Sequence, residues 1–218
     1  MDFNPLDLIL HLDVYLDMLV TNYGTWVYAI LFLVIFCETG LVVTPFLPGD
    51  SLLFIAGAVA AGGAMDPVLL GGLLMLAAIL GDSTNYLIGR TAGEKLFSNP
   101  NSKIFRRDYL QQTHDFYDKH GGKTVTLVRF LPIIRTFAPF VAGVGKMNYL
   151  RFFGFSVLGT VLWVGGLVTL GYFFGNVPFI KQNLSLLVVG IILVSLLPMI
   201  ISLVRSKLSQ RASKAQPR

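Results

Sequence analysis

The chain has 218 residues, 54% hydrophobic and only 13% charged, with a mean hydropathy of +0.69, whereas soluble domains carry about 25% charged residues. This composition excludes an ordinary soluble domain, a collagen, a disordered tail and a disulfide scaffold, Cys37 being the single cysteine. The net charge of +5 hides an asymmetry: residues 1–89 hold eight acids and no Lys or Arg, while the remaining 129 hold all 17 basic residues and four acids. Positive charge beside apolar spans follows the positive-inside rule and sets orientation, so nucleic acid is not an expected partner. The Lys-free start around Asp2 and Asp7 lacks the basic region of a secretory signal, and the N-terminus is expected to be retained.

Leu6–Val20 sets Asp7, His11, Asp13 and Asp17 among Leu, Ile and Val at mixed three- and four-residue spacings, the pattern of an amphipathic helix at an interface. Trp26–Val43 is apolar apart from Glu38. The run from Thr44 through Pro45, Phe46, Leu47, Pro48 and Gly49 to Asp50 then interrupts, before Ser51–Met65 resumes as 15 uncharged residues. At 1.5 Å per residue that limb covers about 22 Å of a core of roughly 30 Å. Pro45, Pro48 and Gly49 cannot continue a helix, and apolar limbs on both sides put the break inside the membrane. The pattern predicts a re-entrant hairpin over about 26–65, whose bared backbone must be buried in protein or line a polar cavity.

Val68–Gly89 is the first full span, about 68–90, with Asp82 and Asn85 one turn apart and Arg90 at its boundary. Asp82 and Asn85 are accessory candidates, able either to extend a proton path or to hydrogen-bond a neighbouring helix. The loop from Arg90 to Lys123 holds seven basic residues and is assigned to the cytoplasm, with a surface helix over Arg106–His120. A second break follows at Leu131-Pro132-Ile133-Ile134-Arg135, and the next run, Thr136–Gly145, contains Pro139. Neither limb is long enough to span, which predicts a second re-entrant hairpin over about 123–146. Spans are expected at about 152–175 and 184–204, the latter containing Pro198, and the basic tail 206–218 is placed in the cytoplasm.

The two breaks repeat each other. Phe46-Leu47-Pro48 with Ala56-Gly57 recurs as Phe130-Leu131-Pro132 with Ala142-Gly143. The expected fold is therefore an all-α polytopic membrane protein, a single domain over 1–205, with two facing re-entrant hairpins in an inverted-repeat-like arrangement.

Glu38 and Asp50 flank the first break; Arg129 and Arg135 flank the second. Charges at membrane depth cost at least about 2.5–3.5 kcal/mol each, so these four face a cavity or one another. An arginine fork suits a phosphate, and a desolvated carboxylate can take up a proton. The alternative is a pair of buried salt bridges that lock the hairpins together. His11, His114 and His120 fall in surface segments with no partner at metal-ligand spacing, so no metal or other cofactor is expected, and no catalytic histidine lies at membrane depth. Gly89-x3-Gly93 and Gly171-x3-Gly175 match a helix-packing pattern that arises by chance among 22 glycines. Trp26, Trp163, Tyr149 and Tyr172 read as interface or packing aromatics.

The run Phe36-Cys37-Glu38-Thr39-Gly40 through Thr44–Leu53, with Gly81-Asp82, Asn85-Tyr86, Gly89-Arg90 and Arg129–Pro139, resembles the bacterial DedA family within the VTT-domain superfamily. The resemblance covers nearly the whole chain and implies a multi-pass transporter of the bacterial inner membrane. Members of that family recycle undecaprenyl phosphate or flip other phospholipids; others support envelope homeostasis that depends on the proton-motive force. The family's essential acids fall on Glu38 and Asp50 and its essential arginines on Arg129 and Arg135. The implied partners are membrane lipids, a lipid-phosphate substrate and protons, with a homo-oligomer compatible with this reading. A proton-coupled exporter of cations or drugs, and a membrane enzyme, are the rival functions, the enzyme being disfavoured.

The charge distribution fixes a topology that labelling checks. In a Cys37→Ser background, single cysteines at Ser102 and Ser213 should react only from the cytoplasm, and one at Asn183 only from outside; outside labelling at Ser102 would invert the second half.

Overall fold

A computed structural model of the chain describes residues 18, 22–41, 49–96, 122–130, 132–175 and 177. The expectations for Leu6–Val20, Pro45, Pro48, the surface helix with His114 and His120, the span 184–204 with Pro198, and the tail lie outside them. The described residues are helical, with no strand among them. They form α1 (Trp26–Gly40), α2 (Gly49–Ala61), α3 (Pro67–Leu96), α4 (Lys123–Val128), α5 (Pro132–Val144) and α6 (Tyr149–Phe174). Within α6 the segment Val161–Gly165 winds as a π-helical turn between two α-helical stretches.

Local chemistry sets the helix starts. Asp66 caps α3 by accepting from the Leu69 N–H at 2.8 Å, and Pro67 occupies the first helical position, where its missing N–H costs nothing. Asn148 caps α6 in the same way, accepting from the Arg151 N–H at 3.2 Å. The two long helices run past the expected bounds, α3 through Leu96 and α6 from Tyr149.

One correction concerns Pro139, expected at a hairpin break: it lies inside the unbroken α5, which Pro132 opens. Pro132 is tolerated at the first position, as in α3. Pro139 has no N–H for the carbonyl four residues back, so it frees the Arg135 backbone oxygen without ending the helix. The break itself falls at Arg129 and Phe130, between α4 and α5.

α3 and α6 each contain 26 residues long and apolar enough to cross a membrane, Pro67–Ala92 and Tyr149–Phe174, with only 39% and 33% of their apolar windows buried. Their outer faces present Leu69, Leu76, Leu80 and Leu87, and Leu158, Leu162, Leu170 and Phe173. The buried set includes Glu38, Asp82, Asn85, Arg129 and Ser156. Apolar outside and charged inside is the polarity of a protein dissolved in lipid. α1 runs alongside α3, tied at its start by the Asp66 N–H, which donates to the Tyr28 hydroxyl at 2.7 Å. It ends at Gly40 against Gly81, half-way along α3.

The short helices α2 and α5 cross over between the halves, α2 packing on α6 and α5 on α3. Both seams close through glycines. A Cβ on Gly57 would sit 2.3 Å from the Val168 carbonyl oxygen, and one on Gly171 2.0 Å from that of Phe54. On the other seam, Gly143 would meet the Tyr86 oxygen and Gly89 the Phe140 oxygen, each at 2.1 Å. Phe140 and Gly143 follow Phe54 and Gly57 by 86 residues, and Val168 and Gly171 follow Tyr86 and Gly89 by 82. The sequence repeat is thus realised as two equivalent helix contacts, and Gly89 and Gly171 belong to them rather than to chance.

Gly57→Ala and Gly143→Ala should each destabilise the detergent-solubilised protein by about 1–3 kcal/mol, because backbone has to give way. Gly71→Ala and Gly154→Ala, where an added Cβ meets nothing, should leave the melting temperature unchanged or raise it slightly. Equal losses at all four positions would contradict the seams.

Candidate functional site

Three helix ends converge at the centre: the last turn of α1 with Glu38, the first turn of α2 with Asp50 and the first turn of α5 with Arg135. Arg135 donates from Nη2 to Glu38 Oε1 at 2.6 Å and from Nη1 to Asp50 Oδ1. Both sequence-predicted acids therefore meet a single arginine. Gly49 leaves the space that makes this fit, since a Cβ there would lie 1.8 Å from Glu38 Oε2. Asn85, reaching across from α3, braces the backbone beside both charges: its Nδ2 donates to the Thr39 oxygen at 3.1 Å and to the Thr136 oxygen at 2.7 Å.

Arg129 has a different partner from the one its position suggested. Expected to oppose Glu38 or Asp50, it donates from Nη1 to Asp82 Oδ2 at 2.5 Å, and Ser156 Oγ donates to the same carboxylate oxygen at 2.5 Å. The cause is reach: Arg129 sits in the break between α4 and α5, opposite the middle of α3 and the first stretch of α6, where Asp82 and Ser156 lie. Asp82 is thus an ion-pair partner, and Asn85 is the brace of the neighbouring pair.

Trp163 joins the two clusters. Its Nε1 donates to Asp50 Oδ1 at 2.8 Å, and its ring centroid is 4.5 Å from the Arg135 Cζ and 5.5 Å from the Arg129 Cζ. Both separations are within cation–π range. Of the residues singled out in the sequence, the structure brings Glu38, Asp50 and Arg135 together and sets Arg129 beside them, while Trp163, read as a packing aromatic, and Ser156 were not singled out for this centre. A signal for Trp163 exists: it lies at the middle of an uncharged run, whereas interfacial tryptophans sit at span ends.

With all five charges ionised, three carboxylates face two guanidiniums. Side-chain exposure is 2% for Glu38, 4% for Asp82, 6% for Arg129 and 9% for Arg135, against 17% for Asp50, which is therefore the most accessible. Six buried polar atoms have no hydrogen-bond partner among the described residues: Glu38 Oε2, Ser51 Oγ, Asn85 Oδ1, Arg129 Nε, Arg135 Nε and Thr160 Oγ1. Unused donors and acceptors at this depth mark a polar interior with capacity to bind more than it holds.

A helical bundle with an apolar outer face and buried charges at its centre has the character of an integral membrane protein built around a polar site. The VTT-domain profile matches residues 43–173. Protein DedA of Escherichia coli K12 is 60% identical over 212 residues, 96% of this chain and 97% of that one. The uncharacterized membrane protein ML0287 of Mycobacterium leprae is 47% identical over 169 residues, 78% of this chain and 76% of its own. Inner membrane protein YqjA of Escherichia coli K12 is 38% identical over 157 residues, 72% and 71% of the two chains. No solved structure matches. The chain belongs to the DedA family of VTT-domain proteins.

Asp82→Asn leaves Arg129 uncompensated and should cost about 3–5 kcal/mol of stability, whereas Asp82→Leu combined with Arg129→Met should recover most of it. A thermal melt in detergent that shows the two losses adding instead would contradict the pairing.

Proposed function

We propose that the chain is a multi-pass transporter of the bacterial inner membrane that flips a lipid phosphate, of the undecaprenyl phosphate or phospholipid type, in exchange for the energy of the proton-motive force, and that it is not an enzyme. The observation that carries this reading is the sharing of Arg135 by Glu38 and Asp50. While both acids are ionised they occupy both ends of its fork. A proton on each releases the guanidinium, and a phosphate can then take it with two parallel hydrogen bonds. Protons and phosphate thus bind together or not at all, which is the requirement for coupling.

Three further features support the reading. The N-terminal ends of α2 and α5 both face this centre, and helix N-termini favour anions. Asp50, the most accessible of the five charges, is the natural point of proton entry. The crossed glycine seams, with α1 ending half-way along α3, suit two re-entrant hairpins related by an inverted repeat and gating one buried site from opposite sides. Coupling also has an energetic reason: moving a singly charged lipid inward against a negative interior costs about 2.3 kcal/mol per 100 mV, and of the two protons that release Arg135, one cancels that charge and the second adds inward drive.

The test uses purified protein in liposomes with a fluorescent polyprenyl phosphate. Binding should strengthen as pH falls, and Glu38→Gln with Asp50→Asn should bind regardless of pH but lose uptake driven by a pH gradient. Arg129→Lys and Arg135→Lys should each weaken binding about ten-fold or more, since lysine keeps the charge and loses the fork. Normal transport by Glu38→Gln combined with Arg135→Gln would reduce the cluster to a structural lock. Proton-driven uptake of cations, with no response to polyprenyl phosphate, would make the protein an exporter.

A further inference from the structure

Trp163 packs into the apolar core, and it also makes contacts that packing does not require. It is 4% exposed, at the middle of a helix that crosses the membrane, and it sits in the π-helical turn Val161–Gly165. Such turns insert an extra residue, re-aim the side chains around them and cluster at functional sites. Its counterpart in the internal repeat is Gly81, 82 residues earlier in the regular α3, so the indole belongs to one half alone. Its ring takes Arg135 at 4.5 Å and Arg129 at 5.5 Å, and its N–H holds Asp50. Each arginine retains a buried Nε with no partner among the described residues.

Arg129 and Arg135 otherwise belong to separate ion clusters, held by different carboxylates on different helices. The backbone keeps Arg135 six residues from Arg129, but once Arg135 leaves its acids the one side chain among the described residues that touches both guanidiniums is the indole. Building on the transport reading above, we propose that Trp163 is the positioning residue of the anion site: its ring holds both guanidiniums within reach of a single phosphate monoester. In a desolvated site a cation–π contact is strong enough to decide where a freed arginine rests.

The chain contains two tryptophans, and Trp26 is 72% exposed, so Trp26→Phe makes Trp163 the sole tryptophan, excited selectively over the tyrosines. The full chain in nanodiscs is titrated with farnesyl monophosphate, with farnesol and inorganic phosphate in parallel, and binding is measured independently with radiolabelled farnesyl monophosphate. Trp163 emission should change with farnesyl monophosphate and not with farnesol; a change with inorganic phosphate as well would show that the phosphate group alone engages the ring. Trp163→Phe, which keeps a ring and loses the N–H, should bind within about three-fold of the parent. Trp163→Leu should bind about ten-fold or more weakly at an unchanged melting temperature. If Trp163→Leu does not fold, the emission change and the Trp163→Phe affinity decide. Binding with unaltered Trp163 emission, or equal affinity in the Phe and Leu variants, would overturn the role of the ring and leave the transport reading standing. Absence of binding by the parent protein to farnesyl monophosphate and to phosphatidic acid, titrated in parallel, would overturn both.

Discussion

The structure depends on the cost of ionised groups in a low-dielectric interior. Five of them sit at the middle of the bundle, and each can remain there only with an opposite charge at hydrogen-bond distance. That requirement dictates where the chain may break. Glu38 ends α1, Asp50 opens α2 and Arg135 opens α5, so these three helix ends must lie at one depth and face one another. Arg129, at the start of the second break, then meets its carboxylate at the middle of α3, where Asp82 lies. Gly49 is part of the same constraint, because any side chain there would expel Glu38 from its place.

Bringing short helices to that centre requires close backbone approach, which the crossed glycine seams supply. In lipid, helix association relies on van der Waals contact and interhelical hydrogen bonds rather than on apolar burial, and small residues allow both. Since α2 packs on α6 and α5 on α3, each short helix carries one charged residue into the centre while resting on the long helix of the other half. A shift of either long helix therefore moves the charges contributed by the opposite half. In the proposed cycle, this crossing would let the ionisation of the centre be felt on both sides of the membrane.

Much of this was open to a reader of the sequence. The low charge content gave the membrane environment, and the four residues flanking the Pro-rich breaks stood out because a charge within an apolar run is costly. The repeat of Phe46-Leu47-Pro48 and Gly57 at Phe130-Leu131-Pro132 and Gly143 anticipated the equivalent seams. What was not legible was the partner of each charge. Pairing depends on the depth at which side chains emerge, and the rotation of α3 that aims Asp82 at Arg129 leaves no mark in its own residues. Trp163 was hidden for a similar reason, since a π-helical turn has no sequence signature and an indole reads first as packing. Pro139 misled because proline ends helices in water; in α5 it removes only one hydrogen bond, and the surrounding helices hold the rest of the turn.

The uneven count of charges distinguishes the two meanings that a buried cluster can have. A cluster selected only to lock helices together is cheapest when its charges balance, because every surplus charge adds its own desolvation cost. Among the described residues three carboxylates, when ionised, face two guanidiniums, and the most exposed carboxylate, Asp50, is also the one bound by both Arg135 and Trp163. A lock would place its surplus where nothing can reach it or remove it altogether. In the proposed cycle Asp50, the most accessible of these acids and bonded to both Arg135 and Trp163, is where a proton would change the charge of the centre, and a cluster that served only as a lock would have no need of such access.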